Sequence, residues 1–132
     1  MPTSIRYLSL FDGIGAAHVA SDGLGWVCAA LAENDPAPAA VTAYRRPHIQ
    51  NLGDVTAVDF IERARARGPI NLVVGGSPCQ SFSIAGLRKG LDDDRGNLTL
   101  RFVEICDAVG SSGDSPAVDL VFWENVDGVL SD

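Results

Sequence analysis

Positive charge is scarce in this chain. Ten lysines and arginines face seventeen aspartates and glutamates, the net charge is −7, and Lys89 is the only lysine. Nucleic-acid affinity comes largely from cationic contacts to phosphate. A polyanionic partner would therefore have to be met by a local cluster, or by a basic element supplied from elsewhere. Cysteine is sparse too. Cys28, Cys79 and Cys106 stand far apart, form no Cys-x-x-Cys pair and have only His18 and His48 beside them. That spacing excludes a disulfide framework and argues against a zinc site, so no metal is expected. Cys28 and Cys106 lie in apolar runs and read as core residues, which fits a reducing, cytoplasmic setting. No apolar run approaches the roughly 20 residues of a membrane span. No basic segment followed by a long apolar stretch opens the chain, and no internal repeat is present.

What is present is a globular composition. Apolar residues make up 46% of the 132 and charged residues 20%, which suits one domain with one core. A chain of this length buries roughly two-thirds of its unfolded surface, enough to fold without staples. Apolar, β-rich segments alternate with helical ones. Strands are expected at 7–11, 26–31, 71–74 and 119–123, with a weaker one at 48–53. Helices are expected near 16–22, 36–44, 58–67 and 98–109, and the Ser/Gly-rich stretch 110–116 reads as the loosest segment. Strands and helices in this alternation predict βαβ units with right-handed crossovers. The expected fold class is α/β, a doubly wound Rossmann-like sheet, mostly parallel and incomplete.

Residues with chemistry gather at the ends of the expected strands, where open α/β sheets bind ligands. The first strand runs into Phe11-Asp12-Gly13-Ile14-Gly15, whose glycines allow a tight turn into a helix with its amides facing a ligand. A dinucleotide fingerprint requires a third glycine where the chain has His18, which counts against a nicotinamide. Glu33, twenty residues after Gly13, is spaced to accept from ribose hydroxyls, or is simply a solvated carboxylate in a turn. Asp54, after Gly53, reads as an acceptor for an adenine amino group or as a helix N-cap. The run Ile70-Asn71-Leu72-Val73-Val74 breaks at Gly75-Gly76-Ser77-Pro78-Cys79-Gln80, which stands a thiol at the end of a buried strand. The last strand ends in Trp123-Glu124-Asn125-Val126. Trp123 reads as core. A glutamate straight after an apolar strand is expected to be partly desolvated, which raises its pKa and suits an acid at neutral pH. Arg88 and Lys89 form a small basic cluster, and Asp92-Asp93-Asp94 reads as a solvated run.

One chemistry uses these together. A nucleotide-like cofactor on the first three strands, a cysteine on the fourth and an acid on the fifth suit covalent group transfer to an electron-poor ring.

At this point the chain resembles the DNA cytosine-5 methyltransferases, over nearly its whole length and with six motifs in order. Leu8 to Gly15 is similar to the family's first S-adenosyl-L-methionine (AdoMet) motif, in a form like that of phage-type and eukaryotic de novo enzymes. The resemblance implies Phe11, Asp12, Gly13, Ile14, Gly15, Glu33, Asn34, Asp54, Val55, Gly76, Pro78 and Leu98 at the cofactor. It implies Cys79 as the attacking thiol, with Pro78 beside it, and Glu124 on cytosine N3. By the same likeness Gln80, Ser81, Ser83, Arg88, Lys89 and Arg95 contact double-stranded DNA, with the 81–90 loop closing over it. Two departures stand out: Asn34 where the family often has a large side chain, and Ala16-Ala17 where another glycine is common. The family's arginine motif, target-recognition domain and returning C-terminal motif have no counterpart in the 132 residues. The expectation is therefore an AdoMet-binding and catalytic portion spanning 1–132, weak or inactive alone. It would be completed by a C-terminal portion or second polypeptide, in a phage or bacterial, restriction-modification setting. The alternative is an AdoMet-binding module or split-enzyme subunit.

Overall fold

The computed structural model describes residues 4–78, 94–110 and 115–125, with the side chains of 94–97 left aside. Four strands form one all-parallel sheet: β1 (Arg6–Leu10), β2 (Val27–Ala32), β3 (Leu72–Gly75) and β4 (Leu120–Trp123), in the order β2-β1-β3-β4. Between them lie α1 (Ala16–Ser21), α2 (Pro36–Arg45), α3 (Phe60–Arg65) and α4 (Asp94–Ala108). The chain leaves β1 toward one edge and returns past it to β3, so the switch point lies between β1 and β3. That is where parallel sheets of this type open a crevice at the carboxyl ends of their strands.

Strand alternation separates the two faces. Leu8 and Leu10 point into a core with Phe60, Ile70, Val73, Phe102 and Ile105, so α3 and α4 cover that face. Within that layer Arg101 ties α4 to the turn before α3, donating from Nε to the Val55 carbonyl at 2.7 Å and from Nη2 to the Ala57 carbonyl at 3.2 Å. Tyr7 and Ser9 point the other way, where α1 and α2 lie, and that face is polar. Local signals set the helix ends. Asp35 caps α2 by accepting from the Ala37 amide at 3.2 Å, Pro36 occupies its first turn, and Pro47 follows its last carbonyl bond. Among the described residues no helix is long and apolar enough to cross a membrane.

The weaker strand expected at 48–53 is not formed. It is reduced to one parallel bridge between Asn51 and Leu31, held by Leu31 N to the Gln50 carbonyl (3.0 Å) and Leu52 N to the Leu31 carbonyl (2.8 Å). A turn at Pro47-His48 on one side and the left-handed Gly53 (φ 75°) on the other leave too little extended chain for more. The helix expected at 58–67 is also shorter, because residues 55–59 form turns before Phe60. The neck of the 110–116 stretch is closed by the Gly110 amide donating to the Pro116 carbonyl at 2.7 Å.

One edge of the sheet is an exposed apolar strand. In β4, Leu120, Val121, Phe122 and Trp123 are 54%, 51%, 65% and 38% exposed, and no described strand pairs beyond them. Unpaired apolar edges template association. The chain is expected to self-associate with rising concentration in sedimentation, and Phe122→Lys to shift it toward monomer. A clean wild-type monomer at high concentration would count against this.

Candidate functional site

The carboxyl ends of all four strands carry residues of interest around the switch point, and that of β1 is the best organised. β1 passes into Phe11, whose φ of 51° is the only positive value among described non-glycine residues, and then Gly13 (φ 60°) and Gly15 (φ 92°). A left-handed phenylalanine is a strained conformation that the surroundings must impose. The imposing group is Asp12. Its side chain is fully buried and accepts from Ser9 Oγ at 2.6 Å and from Thr42 Oγ1 at 3.2 Å. Its backbone is fixed as well, with Asp12 N donating to the Ala32 carbonyl at 3.0 Å and its own carbonyl accepting from Gly15 N at 3.1 Å.

Behind Asp12 the polar face continues. His18 Nε2 lies 2.8 Å from Asp12 Oδ1, close enough for an ion pair although not aligned for a hydrogen bond. His18 Nδ1 is 2.8 Å from the Tyr7 hydroxyl, which is 2.9 Å from Ser21 Oγ. Burial pushes the Tyr7 hydroxyl up to about 12, so it stays a neutral donor. Asp12 thus shapes the loop from inside, and its carboxylate is buried there rather than offered to a ligand. Thr42, His18 and Tyr7 were not foreseen as part of this loop, since their contacts join different elements, whereas Ser9 lies three residues before Asp12 in the same motif.

Glu33, after β2, is drawn into the same loop. Its Oε1 accepts from the Gly13 amide at 2.8 Å and its Oε2 from the Asp35 amide at 2.9 Å. Asn51 clamps its backbone from both sides, accepting from Glu33 N at 3.0 Å and donating to the Glu33 carbonyl at 2.9 Å. Two amides use only part of a carboxylate's acceptor capacity, so hydroxyl donors can still be bound. Ile14 is 68% exposed and Asn34 is exposed, so both are free to meet a ligand at the crevice.

The other cofactor-side residues divide. Asp54 is exposed and its Oδ1 accepts from the Thr56 amide (2.8 Å) and hydroxyl (2.7 Å), closing a turn; it caps no helix, because α3 begins only at Phe60, behind Asp59. Those two bonds, the amide first, hold its carboxyl below the usual range. Val55 is 5% exposed and belongs to the core, and Leu98 packs against it, half-buried.

At the β3 and β4 ends, two glycines permit close approach. Glu124 N donates to the Gly75 carbonyl at 3.0 Å, and a Cβ on Gly76 would fall 2.6 Å from Glu124 Oε2. The structure therefore brings Glu124 against Gly76, two residues before Pro78 and three before Cys79 in sequence. Partial desolvation of Glu124 is not observed: it is exposed, because all of β4 is. Ser77 is buried and sits 3.0 Å from Thr99 Oγ1 of α4, while Trp123 Nε1 donates to Ser77 Oγ at 3.1 Å. Trp123 was expected in the core but is more than one-third exposed, with its polar tip turned inward. Cys79, Gln80, Ser81, Ser83, Arg88 and Lys89 lie outside the described residues, as does the side chain of Arg95, whose backbone is in the first turn of α4.

The two described thiols are not reactive. Burial pushes Cys28 up to about 12 and Cys106 up to about 11, so both are protonated at neutral pH.

The sequence profile of the C-5 cytosine-specific DNA methylases matches residues 5–132. A protein of Escherichia phage P1 named DNA N-6-adenine-methyltransferase is 46% identical over 127 residues, 95% of this chain and 17% of that protein. Type II methyltransferase M.AquIA of Picosynechococcus sp. is 36% identical over 105 residues, 76% of this chain and 42% of that protein. The chain thus spans less than half the length of either relative. A DNA modification methyltransferase encoded in an E. coli prophage superposes with a TM-score of 0.72 at 22% identity, covering 97% of this chain and 34% of that one. The Dnmt2 methyltransferase of S. pombe superposes at 0.71 with 16% identity, over 98% and 37%. Both share the α/β methyltransferase fold.

Proposed function

The chain belongs to the C-5 cytosine-specific DNA methylase family, and we propose that it is the AdoMet-binding and catalytic portion of a DNA cytosine-5 methyltransferase. The observation that carries this reading is the meeting of two built sites at one sheet opening. A glycine loop is locked by Asp12 and Glu33, and beside it the glycine-lined end of β3 lies against Glu124.

AdoMet, when bound, supplies a methyl group on a sulfonium, ready for transfer to a nucleophile. The fit rests on Glu33, which keeps acceptor capacity for ribose hydroxyls, and on the loop at Gly13 to Gly15. Glu33→Ala removes the acceptor of the Gly13 amide as well as a ligand group. AdoMet affinity in isothermal titration is expected to fall about tenfold or more, the loss of a hydrogen bond to a charged group. NAD is expected not to bind, and wild-type affinity in the alanine variant would remove Glu33 from the site.

The chain's own residues account for the chemistry at the base. The Cys79 thiolate adds to C6 of cytosine while the Glu124 carboxylic acid gives its proton to N3. The resulting enamine carbon C5 would attack the methyl carbon, and the electrons of the broken C–S bond would leave with the sulfur as a neutral thioether. Loss of the C5 proton to a base expels the thiolate and restores the ring. A cytosine paired in a duplex cannot reach the thiol, so it must leave the stack. The DNA-reading surface is supplied by a further portion or a second polypeptide, which fits the chain's net charge of −7.

The name of the phage P1 relative gives a sharp alternative outcome. Labelled methyl from AdoMet is transferred to mixed-sequence duplex DNA, which is then digested to nucleosides. Label in 5-methylcytosine is the expected result. Label in N6-methyladenine would overturn the reading. Alone, the 132 residues are expected to bind AdoMet and to transfer slowly.

A further inference from the structure

We propose that Trp123 is a positioning residue that clamps the β3 end, which leads into Cys79, to the β4 end, which carries Glu124. The inference rests on reading Cys79 and Glu124 as the reacting pair. An indole N–H can only donate, and here it donates to Ser77 Oγ at 3.1 Å. Ser77 accepts that bond, and its hydroxyl also shares a hydrogen bond with Thr99 Oγ1, 3.0 Å away on α4. The two hydroxyls are 3% and 8% exposed, so each would be costly to leave unpaired. The chain of bonds runs from β4 through the β3 end to α4, joining residues 46 and 22 positions apart.

Packing alone does not explain a tryptophan at this position. The residue is 38% exposed, and although its ring pairs with Phe102 at a centroid distance of 6.4 Å, which a phenylalanine could also do, only an indole supplies the N–H that reaches the buried Ser77. The neighbouring backbone reinforces the same junction through Glu124 N and the Gly75 carbonyl at 3.0 Å. Displacing a reacting group by about 1 Å can cost a hundredfold in rate. A clamp one residue before Glu124 and two residues before Cys79 is placed to prevent that.

Trp123→Phe keeps the ring and removes the donor, Ser77→Ala removes the acceptor, and Ser77→Thr restores the hydroxyl. Two readouts are taken on each variant. Amide hydrogen exchange of the segments 76–78 and 122–125 is expected to quicken about fivefold in Trp123→Phe and Ser77→Ala, the loss of one hydrogen bond. It is expected to recover in Ser77→Thr, while exchange in β1 and β2 stays unchanged. For methyl transfer, kcat is expected to fall about tenfold to a hundredfold with AdoMet Kd unmoved. The double variant should be no worse than either single one. Unchanged exchange and kcat would overturn the clamp, as would a joint fall of kcat, AdoMet affinity and Tm. If the wild-type chain puts no methyl on cytosine, the functional reading fails by itself. Exchange with the Ser77→Thr rescue then decides the clamp alone.

Discussion

Gly75→Ala is expected to destabilise the fold by about 3 kcal/mol, the upper range for forcing extra volume into a packed site, and to lower Tm by about 10 °C. A Cβ at this position would lie 2.7 Å from the Leu10 carbonyl oxygen, 2.9 Å from Phe102 Cε2 and 3.3 Å from Leu10 Cβ. None of these can yield cheaply. Leu10 is paired with Gly75 in the central β1–β3 ladder, and Phe102 is 3% exposed in the core. A loss of this size is a large fraction of the stability of a small domain.

The neighbouring glycines behave differently, and that contrast makes the prediction specific. At Gly76 the added Cβ would meet Glu124 Oε2 at 2.6 Å, the far end of a flexible side chain on an exposed residue, and the Glu124 carbonyl oxygen at 3.3 Å, which must give by only a few tenths of an ångström at the exposed sheet edge. Gly76→Ala is therefore expected to keep Tm within a few degrees while displacing the carboxylate. At Gly13 there is nothing within 4 Å, and only the φ of 60° opposes a side chain. That opposition is worth about 1 kcal/mol. Thermal denaturation of the three variants should rank Gly75→Ala far below the others. A wild-type Tm for Gly75→Ala would mean that the β1–β3 contact is looser than described.

Cys79→Ala is expected to abolish labelled-methyl transfer, by at least about a thousandfold, the scale seen when a covalent nucleophile is removed. AdoMet affinity should survive, because the loop proposed to hold it is built by Asp12, Thr42 and Glu33 on the other side of the switch point. The other two thiols cannot substitute. At pH 7 only about one Cys106 in ten thousand is ionised with its thiol near 11, and Cys28, near 12, is ionised less still. Cys28→Ala and Cys106→Ala are accordingly expected to transfer at close to the wild-type rate once folded. Transfer by Cys79→Ala within tenfold of wild type would remove the covalent route.

Much of this architecture is legible along the chain. Apolar runs of four to six residues, separated by helix-length segments and punctuated by Gly13, Gly15, Gly53 and the Gly75-Gly76-Ser77-Pro78 break, dictate parallel βαβ units. The observed strands fall within about a residue of the expected ones, because strand periodicity and turn chemistry are local properties. The placement of Glu33 and Glu124 at strand ends follows from the same reading.

The partners of these side chains are set by tertiary structure. Asp12 stands in a glycine turn, where its sequence position suits a ligand contact, yet Thr42 and Ser9 draw its carboxylate inward. Glu124 follows an apolar strand, yet it is exposed because that strand lies at the sheet edge. Trp123 has the composition of a core residue, yet its indole N–H reaches back to Ser77. Apart from the local Ser9 bond, these outcomes depend on contacts between residues 30 and 46 positions apart or on edge position. Local pattern determined which elements form and where chemistry can stand. Non-local packing, which closes long loops only when the whole sheet assembles, decided which polar groups are spent on structure and which remain for a ligand.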